Sequence, residues 1–309
     1  GYAPTPLLSL DTIARDLAIA SIAYKDEAHR FGLKSFKALG GAYAVARIAA
    51  ERGTANLTVT SATDGNHGRS VAWGAQRLGL PCIIYIHETV SQGRADAIAA
   101  YGAEVRRVPG NYDDAVRAAA QAADDNGWVV VSDTSWPGYD TIPKDVMQGY
   151  ALMAIEAQEQ GAHPTHVFVQ GGVGGLAAAI LSYYWERFGA DRPRLCVVEP
   201  ETAACLYESA VAREIAIVGG ALDTVMAGLA CGEPSLLAWK ILAPGADAFM
   251  TIDDTRAIKA MRTLADLGIV GGESGVAGLA GLIAAAHDPR MRAILRLDAS
   301  SRVLLFGTE

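Results

Sequence analysis

The sequence contains no stripe of basic residues and no long apolar run. Its formal net charge is −8 at pH 7, and an acidic chain without a clustered basic face is not expected to bind nucleic acid. The longest apolar run, residues 276–286, is too short to cross a bilayer. No charged and then apolar signal segment opens the chain. We therefore expect neither a nucleic-acid partner nor a membrane partner.

Cysteines are few and scattered. The four are Cys82, Cys196, Cys205 and Cys231. None of them forms a CxxC pair, which argues against a structural zinc site, and we predict no metal. Scattered thiols favour a reducing compartment, so the expected location is the cytoplasm. A disulfide between Cys205 and Cys231 is the less favoured alternative.

The length of the chain favours more than one domain. With 309 residues and 51% hydrophobic content, it can bury a large core, and we expect two domains that share a cleft. The first residue is Gly1 rather than Met, and Glu309 directly follows a strand-like run. We therefore expect both ends to be trimmed.

Short β-branched runs alternate with longer alanine-rich stretches, and this alternation is typical of helices that cover parallel sheets. The strand candidates are residues 57–61, 82–86, 104–108, 128–131, 166–170, 195–199, 249–252 and 302–306. The helix candidates include residues 36–52, 67–78, 113–125, 144–158 and 176–187. The pattern predicts an α/β fold with two domains, each a mostly parallel sheet flanked by helices.

The first four strand candidates are evenly spaced and would form a small domain of residues 48–147. The large domain would then combine residues 1–47 and 148–309. No low-complexity linker separates the two parts, so we expect the chain to cross between the domains.

A glycine-rich segment separates the strand candidate 166–170 from the helix candidate 176–187. It consists of Gly171, Gly172, Val173, Gly174 and Gly175. Glycines at such a turn let backbone N–H groups approach an anion, and the helix N-terminus adds partial positive charge. The spacing matches neither the Walker A pattern nor the GxGxxG fingerprint. It predicts a phosphate-binding loop, with a tight turn that binds nothing as the alternative.

The segment 61–68 also closes a strand candidate and opens a helix candidate. Its backbone N–H groups could bind a carboxylate, and the side-chain amide of Asn66 could donate to a phenolate-like oxygen. Asp64 or Asn66 could instead act as a helix cap. We expect His67 to be structural.

Lys37 lies in an otherwise apolar segment, residues 35–41. Partial burial lowers the pKa of a lysine and makes its amine nucleophilic toward a carbonyl. The alternative is a surface lysine whose stem covers apolar neighbours. Of the two nearby lysines, we expect Lys34 to be the exposed one.

In this order the three motifs resemble those of the fold type II pyridoxal-phosphate enzymes, the group of threonine dehydratase and the tryptophan synthase β chain. Residues 4–7 are similar to the N-terminal signature of that group. Within it, the nearest resemblance is to the 2,3-diaminopropionate ammonia-lyases. The similar segments are residues 30–33, 36–44, 63–69, 133–139, 227–234, 272–275 and 307–309. The resemblance therefore covers nearly the whole chain, although the segment between Arg47 and Leu57 is shorter than expected.

The resemblance implies a role for each matching residue. Lys37 would form a Schiff base with pyridoxal 5′-phosphate, and Asn66 would hydrogen-bond the phenolic oxygen of the cofactor. Thr308 would face the pyridine nitrogen, while strand alternation should point Glu309 to the opposite face. The residues implied to hold the phosphate are Gly171, Gly172, Val173, Gly174 and Gly175. The resemblance also implies a homodimer.

Two acidic residues bear on the substrate. Asp64 stands where dehydratases of the group carry a small residue, and Asp133 follows another strand of the predicted small domain. Both could reach a cleft at the carboxyl ends of the strands. Our hypothesis is that Asp64 is a second base on the face opposite Lys37, so that both stereoisomers react. Asp133 would bind the cationic β-amine, with an Asx-turn as the alternative.

These residues imply α,β-elimination of ammonia from D- and L-2,3-diaminopropionate, with an aminoacrylate that hydrolyses to pyruvate and ammonia. The neutral hydroxyl of Thr308 cannot keep the pyridine nitrogen protonated as a carboxylate would, and this favours direct elimination. A serine or threonine dehydratase of the same fold is the main alternative. A non-catalytic binding protein and a nicotinamide oxidoreductase are two others, and the missing GxGxxG argues against the last.

Overall fold

The computed structural model describes residues 2–63 and 65–309. The chain forms two compact units: the first consists of the chain up to Ser35 together with Ala151–Glu309, and the second is Phe36–Tyr150. The sequence had suggested divisions after residues 47 and 147. The first division lies earlier because the helix that begins at Lys37 packs along the helix that begins at Asn66, within the second unit.

Ten strands lie in the described residues. They are β1 (Leu7–Ser9), β2 (Ser21–Asp26), β3 (Val59–Ala62), β4 (Cys82–His87), β5 (Glu104–Val108), β6 (Val129–Val130), β7 (His166–Gln170), β8 (Arg194–Pro200), β9 (Ala248–Ile252) and β10 (Arg302–Gly307). The eight predicted strands correspond to β3 to β10. The strands β1 and β2 were not predicted.

Helices fill most of the remaining chain. They are α1 (Asp11–Asp16), α2 (Lys37–Arg52), α3 (Asn66–Leu78), α4 (Gln92–Ala99), α5 (Tyr112–Asn126), α6 (Thr141–Glu159), α7 (Gly175–Phe188), α8 (Cys205–Ala212), α9 (Leu236–Gly245), α10 (Asp254–Asp266), α11 (Ala277–His287) and α12 (Pro289–Leu295). Short 3₁₀ turns cover Glu27–Gly32, Gly189–Asp191 and Ala227–Leu229. None of the helices in the described residues combines the length and the hydropathy that a membrane-spanning segment needs.

Each unit is built on its own sheet. The first unit has the strand order β1-β2-β10-β7-β8-β9, and the second has the order β5-β4-β3-β6. All pairs are parallel except β1 with β2. Helices pack on both sheets, as α11 does on β7 and α5 on β4. The predicted α/β fold of parallel sheets with flanking helices is therefore confirmed.

The core of the first unit contains a fully buried cluster of charges. The Arg30 guanidinium is 1% exposed, and it donates to Glu27 at 2.8 and 2.9 Å and to Glu156 at 2.8 Å. Lys25 Nζ lies 2.6 Å from Glu156 Oε2 and donates to the Thr5 carbonyl at 2.7 Å. Two cations and two anions thus neutralise one another, and this pairing makes their burial tolerable.

Glu156 is the carboxylate that both cations share. Burial raises its pKa, but the hydrogen bonds from Arg30 and Lys25 outweigh burial and bring the pKa of Glu156 to about 2. This folded-state pKa lies below the ordinary value for glutamate, so the ion pairs stabilise the folded state when the pH is above that ordinary value. The contribution is lost as the pH falls through the folded pKa.

We expect Glu156→Gln to lower the free energy of unfolding of the first unit by about 3–5 kcal/mol at pH 7, because it leaves two buried cations with one carboxylate. Urea denaturation measures the effect. The difference from the unmodified protein should shrink as the pH falls from about 4.5 toward 2.

The matched control is Arg256→Gln. It removes a solvent-exposed ion pair with Asp253 in the same unit, and an exposed pair contributes at most about 1 kcal/mol. A Glu156→Gln effect no larger than that of this control would contradict the assigned role of the cluster.

Candidate active site

Two strands of the second unit end at the same edge of its sheet. The strands β3 and β6 pair in parallel, with Val59 opposite Val129 and Thr60 opposite Val130. His67 follows the end of β3, and Asp133 follows the end of β6. Because α/β proteins bind ligands at the carboxyl ends of parallel strands, we expect functional side chains at this edge.

Lys37 and Asp133 form an ion pair at this edge. Lys37 Nζ lies 2.5 Å from Asp133 Oδ2, and the two side chains are 23% and 16% exposed. The amine also lies 5.4 Å from the centre of the Phe36 ring and 5.8 Å from that of Tyr150. Lys37 is therefore partly buried between a carboxylate and two aromatic rings, whereas Lys34 is exposed.

The charges of this cluster keep Asp133 ionised. Burial raises the pKa of the Asp133 carboxyl, but the positive charge of Lys37 and the hydrogen bond that Lys37 donates lower it well below its usual range. Asp133 had been expected to bind an ammonium group of the substrate. In this structure it binds the ammonium group of Lys37.

The loop after β6 is held by residues other than Asp133. Ser132 Oγ accepts a hydrogen bond from the Thr134 N–H at 3.1 Å. The Tyr139 hydroxyl accepts from the Ser132 N–H at 3.0 Å and donates to the Val130 carbonyl at 2.8 Å. Ser132 and Tyr139 therefore hold this loop, and the Asp133 carboxylate faces Lys37.

His67 is buried beside Asp133. Its Nε2 lies 2.9 Å from the Val131 carbonyl, and its Nδ1 lies 3.7 Å from Asp133 Oδ2. Burial lowers the pKa of His67, and although Asp133 opposes this effect, the pKa stays below the usual value. A carbonyl only accepts hydrogen bonds, so Nε2 carries the proton of the neutral ring and Nδ1 carries the lone pair.

The turn between β3 and α3 is closed by Thr63. Its Oγ1 accepts from the Gly65 N–H at 3.0 Å and from the Gly68 N–H at 3.1 Å. Gly65 occupies the cap position of α3 and Asn66 is its first residue. The side chain of Asn66 therefore does not cap α3, which had been the alternative to a ligand-binding role. Its Oδ1 accepts a hydrogen bond from Arg69 Nη2 at 2.9 Å. Asp64 lies outside the described residues.

The glycine-rich segment of the first unit connects β7 to α7 as predicted. Gly174 precedes the helix with a φ of 96°, a conformation that favours glycine. A Cβ on Gly171 would lie 2.7 Å from Val197 Cγ1, and one on Gly172 would lie 3.3 Å from Cys231 Sγ. The loop is thus packed so closely that side chains would displace their neighbours.

The backbone of this loop offers donors to an anion. Gly171 N donates to the Val198 carbonyl at 2.8 Å. The N–H groups of residues 172–175 have no hydrogen-bond partner among the described residues. They precede the N-terminus of α7, which carries partial positive charge. A row of N–H groups at a helix N-terminus fits a phosphate group.

Thr308 lies in the same unit, just after β10. It is 3% exposed, and its Oγ1 accepts a hydrogen bond from Gln170 Nε2 at 2.6 Å. Gln170 Nε2 also donates to the Phe306 carbonyl at 2.9 Å. Glu309 lies against a different segment, because its Oε1 accepts from the Ser274 N–H at 3.0 Å. Thr308 and Glu309 thus contact different partners.

Cys205 and Cys231 form no disulfide with each other. Cys205 Sγ lies 3.6 Å from the Gly172 carbonyl. Glu199, at the end of β8, accepts hydrogen bonds from the N–H groups at the start of α8 at 3.0 and 2.7 Å. Burial raises the pKa of Glu199 to about 8 despite these hydrogen bonds. This carboxyl group caps α8 close to the glycine-rich loop, since a Cβ on Gly171 would lie 2.9 Å from Glu199 Cγ.

Two polar residues of these sites have contacts that the sequence did not predict. Gln170 ends the buried strand β7, and a polar residue directly before a glycine-rich loop could have marked it. His67 was assigned a structural role, and only the contact with Asp133 shows that its second nitrogen faces charge. Both depend on partners distant in sequence, which periodicity does not reveal.

Comparison with known proteins identifies the family of the chain. Residues 1–306 match the family model described as pyridoxal-phosphate dependent enzyme. The chain is 42% identical over 337 residues to diaminopropionate ammonia-lyase of Escherichia coli strain K12, which covers 100% of this chain and 85% of that protein.

Solved structures give the same result. The fold matches a holo diaminopropionate ammonia lyase from Escherichia coli with a TM-score of 0.92 and 41% identity, over 100% of this chain and 85% of that chain. It matches the same enzyme in complex with an aminoacrylate–PLP azomethine reaction intermediate with a TM-score of 0.91 and 42% identity, at the same coverage. The expected fold type is thereby confirmed, and the chain belongs to the family of pyridoxal-phosphate-dependent enzymes.

Proposed function

We propose that this chain catalyses the pyridoxal-phosphate-dependent elimination of ammonia from 2,3-diaminopropionate, with pyruvate and ammonia as products. The relatives at 42% and 41% identity that cover the full chain are diaminopropionate ammonia-lyases. The observation that carries the proposal is the ionised Asp133, which holds an ammonium group at 2.5 Å. The same carboxylate is suited to the β-ammonium of the substrate.

The described residues fit the cofactor in each unit. In the first unit, we assign the phosphate to the N–H groups of residues 171–175 and the pyridine nitrogen to Thr308. In the second unit, we assign the aldehyde to the amine of Lys37 and the phenolic oxygen to the side-chain amide of Asn66. When bound, the cofactor supplies an electron sink for the bond-breaking steps at the substrate.

The hydrogen bond that Thr308 accepts determines whether its own hydroxyl can donate. Its Oγ1 accepts from Gln170 Nε2 at 2.6 Å, so its own hydroxyl proton is available to donate. A hydroxyl has no negative charge with which to hold a proton on a neighbouring nitrogen. Thr308 therefore donates to the pyridine nitrogen and does not stabilise its protonated form.

The leaving group determines what Asp133 does. An ammonium group already carries the proton that it needs to leave as ammonia. Asp133 keeps that group charged and oriented, because an ionised carboxylate within about 4 Å favours the protonated amine. A leaving hydroxyl would instead need a proton from the protein, which an ionised Asp133 does not have.

Lys37 is the base that we assign to the Cα proton. In its neutral form the amine of Lys37 would accept that proton, since an amine close to the reacting carbon is a competent general base. We assign a second base to Asp64, on the opposite face of the substrate. Two bases on opposite faces would let the D and L isomers both react.

Assembly and location complete the proposal. We propose that the enzyme is a homodimer, which the resemblance implies. We also propose that it acts in the cytoplasm, as scattered unpaired thiols favour. Its proposed partner is the small amino acid on which it acts.

Steady-state assays separate this function from the alternative dehydratase. We expect kcat/KM for pyruvate formation to be at least about tenfold higher with 2,3-diaminopropionate than with serine, because one charge-assisted hydrogen bond is worth about 1.5–3 kcal/mol. Formation of 2-oxobutyrate from threonine should be slower still. Faster turnover of serine or threonine than of diaminopropionate would contradict the proposal in favour of a dehydratase.

Replacing Lys37 by Ala should abolish pyruvate formation and remove the visible absorbance that the cofactor acquires when it is bound to a lysine. Spectra with and without diaminopropionate measure both effects. The matched control is Lys34→Ala, which changes an exposed lysine three residues earlier in the chain. Equal losses in the two variants would show that Lys37 is not the cofactor lysine.

Replacing Asp64 by Asn should spare turnover of the L isomer and reduce turnover of the D isomer by at least about 100-fold, the typical contribution of a general base. The measurement is kcat for each pure isomer. An equal loss with both isomers would contradict a base on each face.

A further inference from the structure

His67 presents an unused acceptor to the ion pair of Lys37 and Asp133. Its Nδ1 has no hydrogen-bond partner among the described residues, although the residue is only 7% exposed. It lies 3.7 Å from Asp133 Oδ2, the atom that also holds Lys37 Nζ at 2.5 Å. Buried polar atoms normally have partners, so this one calls for an explanation.

The neutral state of the ring decides what can bind there. Nε2 donates to the Val131 carbonyl, and burial lowers the pKa of His67. Nδ1 and Asp133 Oδ2 are therefore two acceptors that face each other without a proton between them. Only a group that donates at least two hydrogen bonds can satisfy both, and a protonated amine is such a group.

We propose that His67 Nδ1 is a second acceptor for the β-ammonium of the substrate, and that it acts with Asp133 to select an amine over a hydroxyl as the leaving group. This inference rests on the proposed function. It makes His67 a specificity-determining residue that touches the substrate.

The proton balance explains the selectivity. In the elimination the Cβ–N bond breaks, its electron pair goes to nitrogen, and ammonia leaves with the three protons that the ammonium already carried. The Cα proton goes to Lys37. For a hydroxyl leaving group, the Cβ–O bond can break easily only if oxygen gains a proton. Neither an ionised Asp133 nor the unprotonated Nδ1 can give one.

A purely structural role for His67 would rest on Nε2 alone, which anchors the chain at Val131. Two substitutions separate the two nitrogens. His67→Gln places an amide donor near the position of Nε2 and removes the acceptor at Nδ1. His67→Asn places an amide oxygen near the position of Nδ1 and removes the donor to Val131.

The experiment compares the unmodified holoenzyme with both variants on diaminopropionate and on serine. For His67→Gln we expect KM for diaminopropionate to rise at least about tenfold, the effect of one hydrogen bond to a charged group. KM for serine should change less than about twofold, because the hydroxyl of serine has a single proton to donate and the ionised Asp133 is the stronger acceptor. His67→Asn should keep most of the preference for diaminopropionate.

A readout other than turnover accompanies these assays. Alanine lacks the β-substituent, so its dissociation constant, measured from the cofactor absorbance of the holoenzyme, should be unchanged in both variants. Loss of the bound-cofactor spectrum in both variants would assign His67 to a structural role and overturn the inference.

The outcomes also separate this inference from the function on which it rests. If the unmodified enzyme forms no pyruvate from diaminopropionate, the proposed function is wrong and the inference is wrong with it. If it does, but His67→Gln loses diaminopropionate and serine turnover in equal proportion, only the role of His67 is refuted.

Discussion

The ion pair between Lys37 and Asp133 is the interaction on which the chemistry of the second unit depends. It joins residues 96 positions apart. Lys37 begins α2, which packs along α3, and Asp133 follows β6, which pairs in parallel with β3. The pair keeps the carboxylate ionised and the amine partly buried. The ring of His67, which burial keeps neutral, adds an acceptor beside this pair.

Much of the fold could be predicted from the sequence, and the exceptions have a common cause. Eight strands were predicted because they are short apolar or β-branched runs bounded by turn residues. The strand β2 was not, because it ends in Lys25 and Asp26, which look like surface residues. Lys25 is in fact completely buried, since Glu156, far along the chain, neutralises it. Pairing between distant charges cannot be read from a local pattern.

The same limit applies to the site residues. The glycine-rich loop between β7 and α7 was predicted because its glycines and the helix that follows it are a local signal. Lys37 and Asp133 were singled out by residue type and by resemblance, but their contact was not predicted. The contacts of Gln170 and His67 were not predicted, because each contact is with an atom more than 60 residues away. Gln170 contacts Thr308, and His67 contacts the Val131 carbonyl.

The position of β10 in its sheet has a consequence for biosynthesis. β10 lies between β2 and β7, so the sheet of the first unit lacks a central strand until residues 302–307 have left the ribosome. Residues 36–150 form a continuous stretch with a sheet of their own, and domains generally fold as units during synthesis. The second unit can therefore fold while the early segment with β2 is still waiting for its partner. During that interval the edge of β2 that pairs with β10 has no partner strand, and an unpaired strand edge is prone to aggregation.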